Sequence, residues 1–251
     1  MNITIIGATG LIGGKLVSRL RESGHEVQAA SPSTGVNSFT GEGLDSAIQG
    51  ADVLVDVTNT SSFGSGDNAF EFFRRSGRNL LSKAQQHGVR HYIALSVVGT
   101  DRLVESDYFR AKMVQENLVR ASGIPYTIVR STQFFEFSYG IVAMAETGGE
   151  VRLSPVRIRP VAADDTVAFI ADIASGVPNN DTVEIGGPQQ FTLDELGRIL
   201  LTAHEDIRPI VSDRGAKYFD VELAMETLLP VKATRIGGRL FGDWLYKQME
   251  R

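Results

Sequence analysis

Short apolar runs alternate along this chain with longer stretches whose apolar positions recur at helical spacing. Asn2–Ile6 reads as a buried strand. Leu11–Glu22 reads as a helix with Ile12, Leu16 and Leu20 on one face and Val17 beside them. Glu26–Ala30, after the turn at Gly24, is a second strand. A short helix at Leu44–Gln49 and a strand at Asp52–Val57 follow, then a long helix at Ala69–His87 stopped by Gly88. A strand at His91–Ser96, a helix from Tyr108 to Ala121 and a strand at Tyr126–Arg130 complete the series. This alternation predicts an α/β fold: a doubly wound parallel sheet covered on both faces, with its ligand crevice at the carboxyl ends of the strands.

The pattern loosens after Arg130. TQFFEFSYGIVAMAETGG predicts a helix ending at the glycine pair Gly148–Gly149, and EVRLSP and IRPVAADD predict short extended pieces. Asp165 is expected to cap a helix over Thr166–Ala174. DTVEIGGP reads as a strand and turn, and Thr192 with Glu195 as a capping box for a helix over Leu193–Thr202. The expected organisation is a core over residues 1–131 and a small α/β lobe over 132–251, laid across the crevice within one integrated domain.

Gly7, Gly10 and Gly13 stand three apart where the first strand gives way to the first helix. Free N–H groups at a helix N-terminus attract phosphate, and glycine permits both a tight turn and close approach. Gly7 would make the turn, Gly10 would admit a pyrophosphate, and Gly13 would let the helix pack close to the sheet. Ala8, Thr9, Leu11 and Ile12 complete the turn. The competing reading is a turn kept only for packing.

Composition narrows the chemistry. No cysteine is present, which excludes disulfides, thiolate metal sites and a cysteine nucleophile. The net charge of -5 supplies no bulk basic field for nucleic acid or anionic lipid. Arg74, Arg75 and Arg78 read as a solvated helix face. Met1 leads straight into the first strand, and no apolar run reaches the roughly 18 residues of a membrane span. The expectation is a soluble cytoplasmic protein with a small-molecule partner, and neither nucleic acid nor membrane. The oligomeric state stays open.

GATGLIGG resembles the nucleotide-binding turn of the extended and atypical short-chain dehydrogenases/reductases. ADVLVDVTN, GVRHYIALSVVGTD, YFRAK, GIPYTIVRSTQFFEF, VAADD and EIGGPQQFTLDEL follow in the order seen in NmrA-like, NAD(P)H-binding members. The resemblance reaches to about Leu200. It implies a Rossmann domain, a dinucleotide cofactor and a small C-terminal substrate lobe.

An acidic residue at the end of the second strand would hold the adenosine ribose and repel a 2′-phosphate. This chain has Ala29 to Thr34 there, with no carboxylate before Glu42. Ser31, Ser33 and backbone N–H groups are expected to take the phosphate, with Lys15 in reach. NADP is therefore the expected cofactor, and NAD the alternative. Thr58 and Asn59, after the third strand, are expected near the adenosine and pyrophosphate, a plain polar loop being the other reading.

Tyr108 and Lys112 lie four apart on a predicted helix, and Ser96 closes the preceding strand. The set resembles the Ser, Tyr-x-x-x-Lys triad of the superfamily. The resemblance implies that Tyr108 protonates the forming alkoxide, with its pKa lowered by Lys112. Lys112 would also bind the nicotinamide ribose, and Ser96 would orient the carbonyl. The same pair occurs as an ordinary helix-surface contact, and many NmrA-like relatives have lost the tyrosine. Gln133, Phe134, Phe135 and Glu136 are expected either to wall a substrate pocket or to pack the lobe. His87 and His91 are separated by a helix-ending glycine, so no metal site is expected. Three functions follow. The first is an NAD(P)(H)-dependent oxidoreductase acting on a small carbonyl or quinone-like compound. The others are a non-catalytic, NmrA-like dinucleotide sensor and a sugar-nucleotide epimerase or dehydratase.

Overall fold

The computed structural model describes residues 1–60 and 68–250. Seven parallel strands form the central sheet: β1 (Asn2–Ile6), β2 (Glu26–Ala30), β3 (Val53–Asp56), β4 (His91–Val97), β5 (Tyr126–Ser131), β6 (Asp181–Gly186) and β7 (Ala233–Ile236). Their order is β7-β6-β5-β4-β3-β1-β2. The chain winds outward from β1 in both directions, so the switch point lies between β1 and β3, where an open α/β sheet places its ligand. This is a Rossmann-type doubly wound sheet, as the alternation predicts.

The helices are α1 (Leu11–Glu22), α2 (Leu44–Ile48), α3 (Asn68–Gln86), α4 (Asp107–Ala121), α5 (Ser138–Met144), α6 (Ala163–Ala174), α7 (Leu193–Ala203) and α8 (Phe241–Met249). Alternate strand residues feed different layers. Ile3, Ile5 and Val55 pack with Leu16 and Leu20 of α1 and Val167 and Ile170 of α6. Ile6, Leu54 and Tyr92 pack on the other face with Leu44, Leu80 and Val119 of α2, α3 and α4. Every residue of β3 is buried, as a sheet covered on both faces requires.

The stretch after Ser131 supplies β6 and β7 to this sheet as well as a lobe. The lobe has its own core, in which Phe135, Ile141, Leu153, Leu196, Leu200 and Phe241 meet. Two expectations are corrected here. The stretch from Thr132 is not one helix: a 3-10 turn at Phe135–Phe137 leads into the seven-residue α5. Gly148 and Gly149 then turn a hairpin between Glu146–Thr147 and Glu150–Leu153, with φ of 62° and 85°. Asp165 is not a cap either. α6 begins at Ala163, and the Glu136 carboxylate, 27 residues away, accepts from the Ala163 N–H at 3.1 Å. Asp164 instead pairs with Lys15 and Arg239, and Asp165 accepts from the Arg239 backbone N–H.

The Thr192–Glu195 capping box is present. Thr192 Oγ1 accepts from the Glu195 N–H at 3.4 Å, and Glu195 Oε2 accepts from the Thr192 N–H at 2.8 Å. Thr192→Ala is expected to cost about 1 kcal/mol. At this chain length that lowers the melting temperature by about 2–4 °C, measurable by scanning calorimetry. Among the described residues, no helix is long and apolar enough to cross a membrane.

Candidate active site

At the carboxyl ends of β1, β3, β4 and β5 a cavity of about 540 Å³ opens. Gly7, Thr9, Gly10, Leu11 and Ile12 line it from the β1–α1 turn. The three glycines do different work. Gly7 has φ of 87°, and a Cβ there would stand 3.0 Å from the Val57 carbonyl oxygen, across the switch point. A Cβ on Gly13 would stand 2.1 Å from the Gly7 carbonyl oxygen, so this glycine lets α1 approach the strand. A Cβ on Gly10 would meet only the Gly7 carbonyl, at an ordinary 3.4 Å, and Gly10 faces the cavity. Ala8 and Gly13 themselves do not line the cavity.

α1 has neither a side-chain cap nor an acidic residue in its first turn. α2, α3, α4, α6, α7 and α8 all carry an acid there. A helix end left uncapped and uncharged, and opened by Gly10 at its N-cap, fits a phosphate. At the end of β2 the wall is Ser31 and Pro32, continued by Asn37 and Ser38. Ser33 is set back and bonds Ser31, Oγ to Oγ, at 2.9 Å. Lys15 is held by Asp164 at 2.7 Å, so the reach expected of it toward a 2′-phosphate is replaced by that ion pair.

Thr58 and Asn59 also line the cavity. Asp56, which ends β3, fixes their loop: it accepts from the Thr58 N–H and hydroxyl. It also accepts from Tyr92 and from Gln115. A carboxylate closing an apolar run was the available signal for this anchor, which the sequence reading did not single out.

Tyr108 and Lys112 both reach the cavity from α4. The Tyr108 hydroxyl donates to Asn59 Oδ1 at 3.3 Å. Burial pushes this phenol up to about 12, opposed by the Asn59 bond. That is opposite to the lowered value expected of a tyrosine governed by a neighbouring cation. The Lys112 ammonium points elsewhere, donating to the Leu95 carbonyl at 2.8 Å and to Gln115 Oε1, and lying 4.5 Å over the Phe73 ring. Burial pulls it down to about 8, against the opposing pull of Asp56 and Glu116. Ser96 borders the cavity, but its hydroxyl donates to Glu116 Oε1 at 2.6 Å. Glu116, fully buried, also takes both Arg130 and Arg120.

Beyond β5, Gln133, Phe134 and Glu136 line the cavity. Phe135 does not: it is turned into the lobe core, with its ring centroid 5.1 Å from Phe241 and 5.6 Å from Trp244. The 3-10 turn, with about three residues per turn, puts Phe135 on the side away from Phe134, Glu136 and Phe137, which face the ligand space. Burial pushes the Glu136 carboxyl above its usual range, with the Ala163 N–H opposing. Gln133 is 5% exposed, and neither amide atom has a hydrogen-bond partner among the described residues. The Tyr218 phenol is its nearest polar neighbour: burial raises that phenol, and the Gln133 amide opposes the rise.

The sequence reading missed Phe72, Phe109, Tyr218 and Phe219, which complete the wall. Tyr218 and Phe219 arrive on a hairpin, Lys217–Tyr218 paired with Val221–Glu222, far along the chain. The adjacent aromatics in a polar stretch were the only local sign. His87 bonds Asp45 and His91 bonds Thr127, so the two imidazoles have separate structural partners.

Comparison with known proteins places the chain among dinucleotide-binding relatives. The photosystem II assembly factor Ycf39 of Cyanophora paradoxa is 25% identical, over 94% of this chain and 72% of that protein. The chloroplastic divinyl chlorophyllide a 8-vinyl-reductase of Cucumis sativus is 27% identical over 79% of this chain, which spans 56% of that enzyme's length. Among solved structures, DesIV of Streptomyces venezuelae, a dTDP-glucose 4,6-dehydratase with NAD bound, superposes with a TM-score of 0.71. It is 18% identical over the whole of this chain and 96% of that one, and so shares the fold. The model of the NAD(P)H-binding family matches residues 7–173, from the first glycine of the turn through nearly all of α6. That match takes in the glycine turn, the bare helix end and most of the residues that line the switch-point cavity, and the chain belongs to the NAD(P)H-binding family.

Proposed function

We propose that this protein is an NADPH-dependent oxidoreductase that reduces a small conjugated carbonyl or quinone-like compound. The observation that carries the reading is one cavity in which the bare end of α1, Tyr108, Lys112 and the buried Gln133 amide all meet. When bound, a reduced nicotinamide supplies the hydride. Tyr108, protonated at working pH, gives the proton to the carbonyl oxygen, and Asn59 orients its hydroxyl. Lys112 exchanges one of its present bonds for a ribose hydroxyl. The vinyl-reductase relative supports a reductase.

Only Lys112 and Glu136 carry charge among the described residues that line the cavity, and both are engaged. The diphosphate of a sugar nucleotide therefore meets no spare cation, which argues against an epimerase or dehydratase. The wall after β2 offers hydroxyls and no carboxylate, which favours NADPH over NADH. Calorimetric titration is expected to give NADPH a Kd at least tenfold below that of NADH. Tighter NADH binding would sink the preference.

One observation favours a second reading, a dinucleotide sensor without turnover. The Ser96 hydroxyl is committed to Glu116 and must leave it to orient a carbonyl. A sensor requires different affinities for NADP+ and NADPH and no consumption of NADPH with any acceptor.

A further inference from the structure

The hairpin that brings Tyr218 and Phe219 to the cavity has an unfavourable tip. Tyr218 pairs with Val221, leaving a two-residue turn of Phe219 and Asp220. Both residues sit in left-handed backbone, with φ of 48° and 67°. Such turns favour Asn-Gly or Asp-Gly, because the left-handed region crowds a Cβ. A phenylalanine in this conformation, at a cavity wall, is the kind of strain that marks a functional position. Its ring lies 5.4 Å from that of Tyr108, tilted by 31°, and edge-on to Phe109 at 5.7 Å. The three rings make one continuous aromatic wall. Phe219 lies beyond residue 173, where the family match ends.

Gln133 supplies the polar counterpart. Among the described residues neither amide atom makes a well-formed hydrogen bond, with the Tyr218 phenol its nearest polar neighbour, and a ligand that pairs fully with the buried amide recovers the cost of burying it. A carbonyl oxygen is the complement of its N–H₂. Unengaged charge is absent by contrast among the described residues that line the cavity. Lys112 and Glu136 are bonded within the protein, and residues 61–67 include no lysine or arginine. A phosphate, sulfonate or carboxylate on the substrate would be desolvated without a partner.

We propose that Phe219 is the specificity-determining residue of this site: it forms the plate against which a flat, uncharged, conjugated carbonyl compound stacks, while Gln133 donates a hydrogen bond to the carbonyl oxygen. This deepens the reductase reading and rests on it for the fate of the compound. The binding itself is measurable without turnover.

The test is calorimetric titration of 2-methyl-1,4-naphthoquinone into protein saturated with NADP+, which holds no hydride to give. The wild type is expected to bind it at least tenfold more tightly than 1,4-naphthoquinone-2-sulfonate. Phe219→Ala is expected to weaken binding of the neutral quinone about tenfold, and Gln133→Leu about fivefold. NADP+ affinity in Phe219→Ala stays within about twofold of wild type. Asp220→Gly, which relaxes the same turn and keeps the ring, retains wild-type quinone affinity. If Phe219→Ala does not fold, Phe219→Leu replaces it, with the same direction of change. No binding of the neutral quinone, equal binding of the sulfonate, or an unchanged affinity in the folded Phe219 variant each overturns the proposal. NADPH consumption is read separately. Tight quinone binding without NADPH oxidation overturns the reductase reading and leaves the aromatic seat standing. Turnover indifferent to Phe219 does the reverse.

Discussion

Valine at position 10 is expected to abolish dinucleotide binding while leaving the fold standing. Gly10 opens onto the cavity at the uncapped end of α1, and its Cβ position is free of backbone except for the Gly7 carbonyl at 3.4 Å. A branched side chain there occupies the space through which a phosphate must approach the first N–H groups of the helix. A loss of at least a hundredfold in NADPH affinity, about 2.7 kcal/mol, is the expected result. The fold should lose no more than about 1 kcal/mol, the scale of an N-cap preference. Gly13 makes the contrast. An alanine Cβ there would sit 2.1 Å from the Gly7 carbonyl oxygen and 2.8 Å from the Ala8 Cα. Backbone must move, and Gly13→Ala should cost about 3 kcal/mol or more of stability. Calorimetry for binding and urea unfolding for stability separate the two. If both variants keep affinity, the turn does not hold a phosphate.

This contrast also shows what was legible from the sequence. β1, α1 and β2 follow from local periodicity, and the glycine spacing gave the site, because turn, helix and approach path all lie within about a dozen residues. What escaped was set by distant partners. The start of α6 is capped by Glu136, from another element, so the two aspartates near it looked like the cap. Phe135 and Phe134 are adjacent and equally apolar, and only the 3-10 turn sends them to different cores. The places of β6 and β7 in the central sheet depend on pairing with β5 and with each other. Phe219–Asp220 carries no Asn-Gly or Asp-Gly signature, although both residues lie in left-handed backbone.

Tyr108→Phe is expected to lower kcat by 10²- to 10⁴-fold, the usual worth of a positioned general acid. NADPH affinity should stay within about twofold, since what is lost is one hydroxyl whose protein partner is Asn59. Full activity in this variant would assign the proton to another group. Lys112 should set the pH dependence. Its ammonium is the form that would bond a ribose hydroxyl under the proposed role, and burial brings it down to about 8. kcat/KM for NADPH is therefore expected to hold below pH 8 and to fall about tenfold per pH unit above it. Tyr108, pushed up to about 12, adds no limb in this range. Lys112→Arg keeps the charge and should remove the fall, at a lower plateau set by the poorer fit of a guanidinium. Stability should move the opposite way. The unfolded lysine, near 10.5, holds its proton longer than the folded one, so between pH 8 and 10 the unfolded state binds more protons. The burial cost of the ammonium, roughly 3 kcal/mol for a shift of this size, is fully present below pH 8 and fades as the pH rises. Activity falling while stability from this group rises, across one window and both abolished in Lys112→Met, is the signature of a buried lysine that works as a cation. A flat kcat/KM profile through pH 8 would instead leave Lys112 a packing residue under the Phe73 ring.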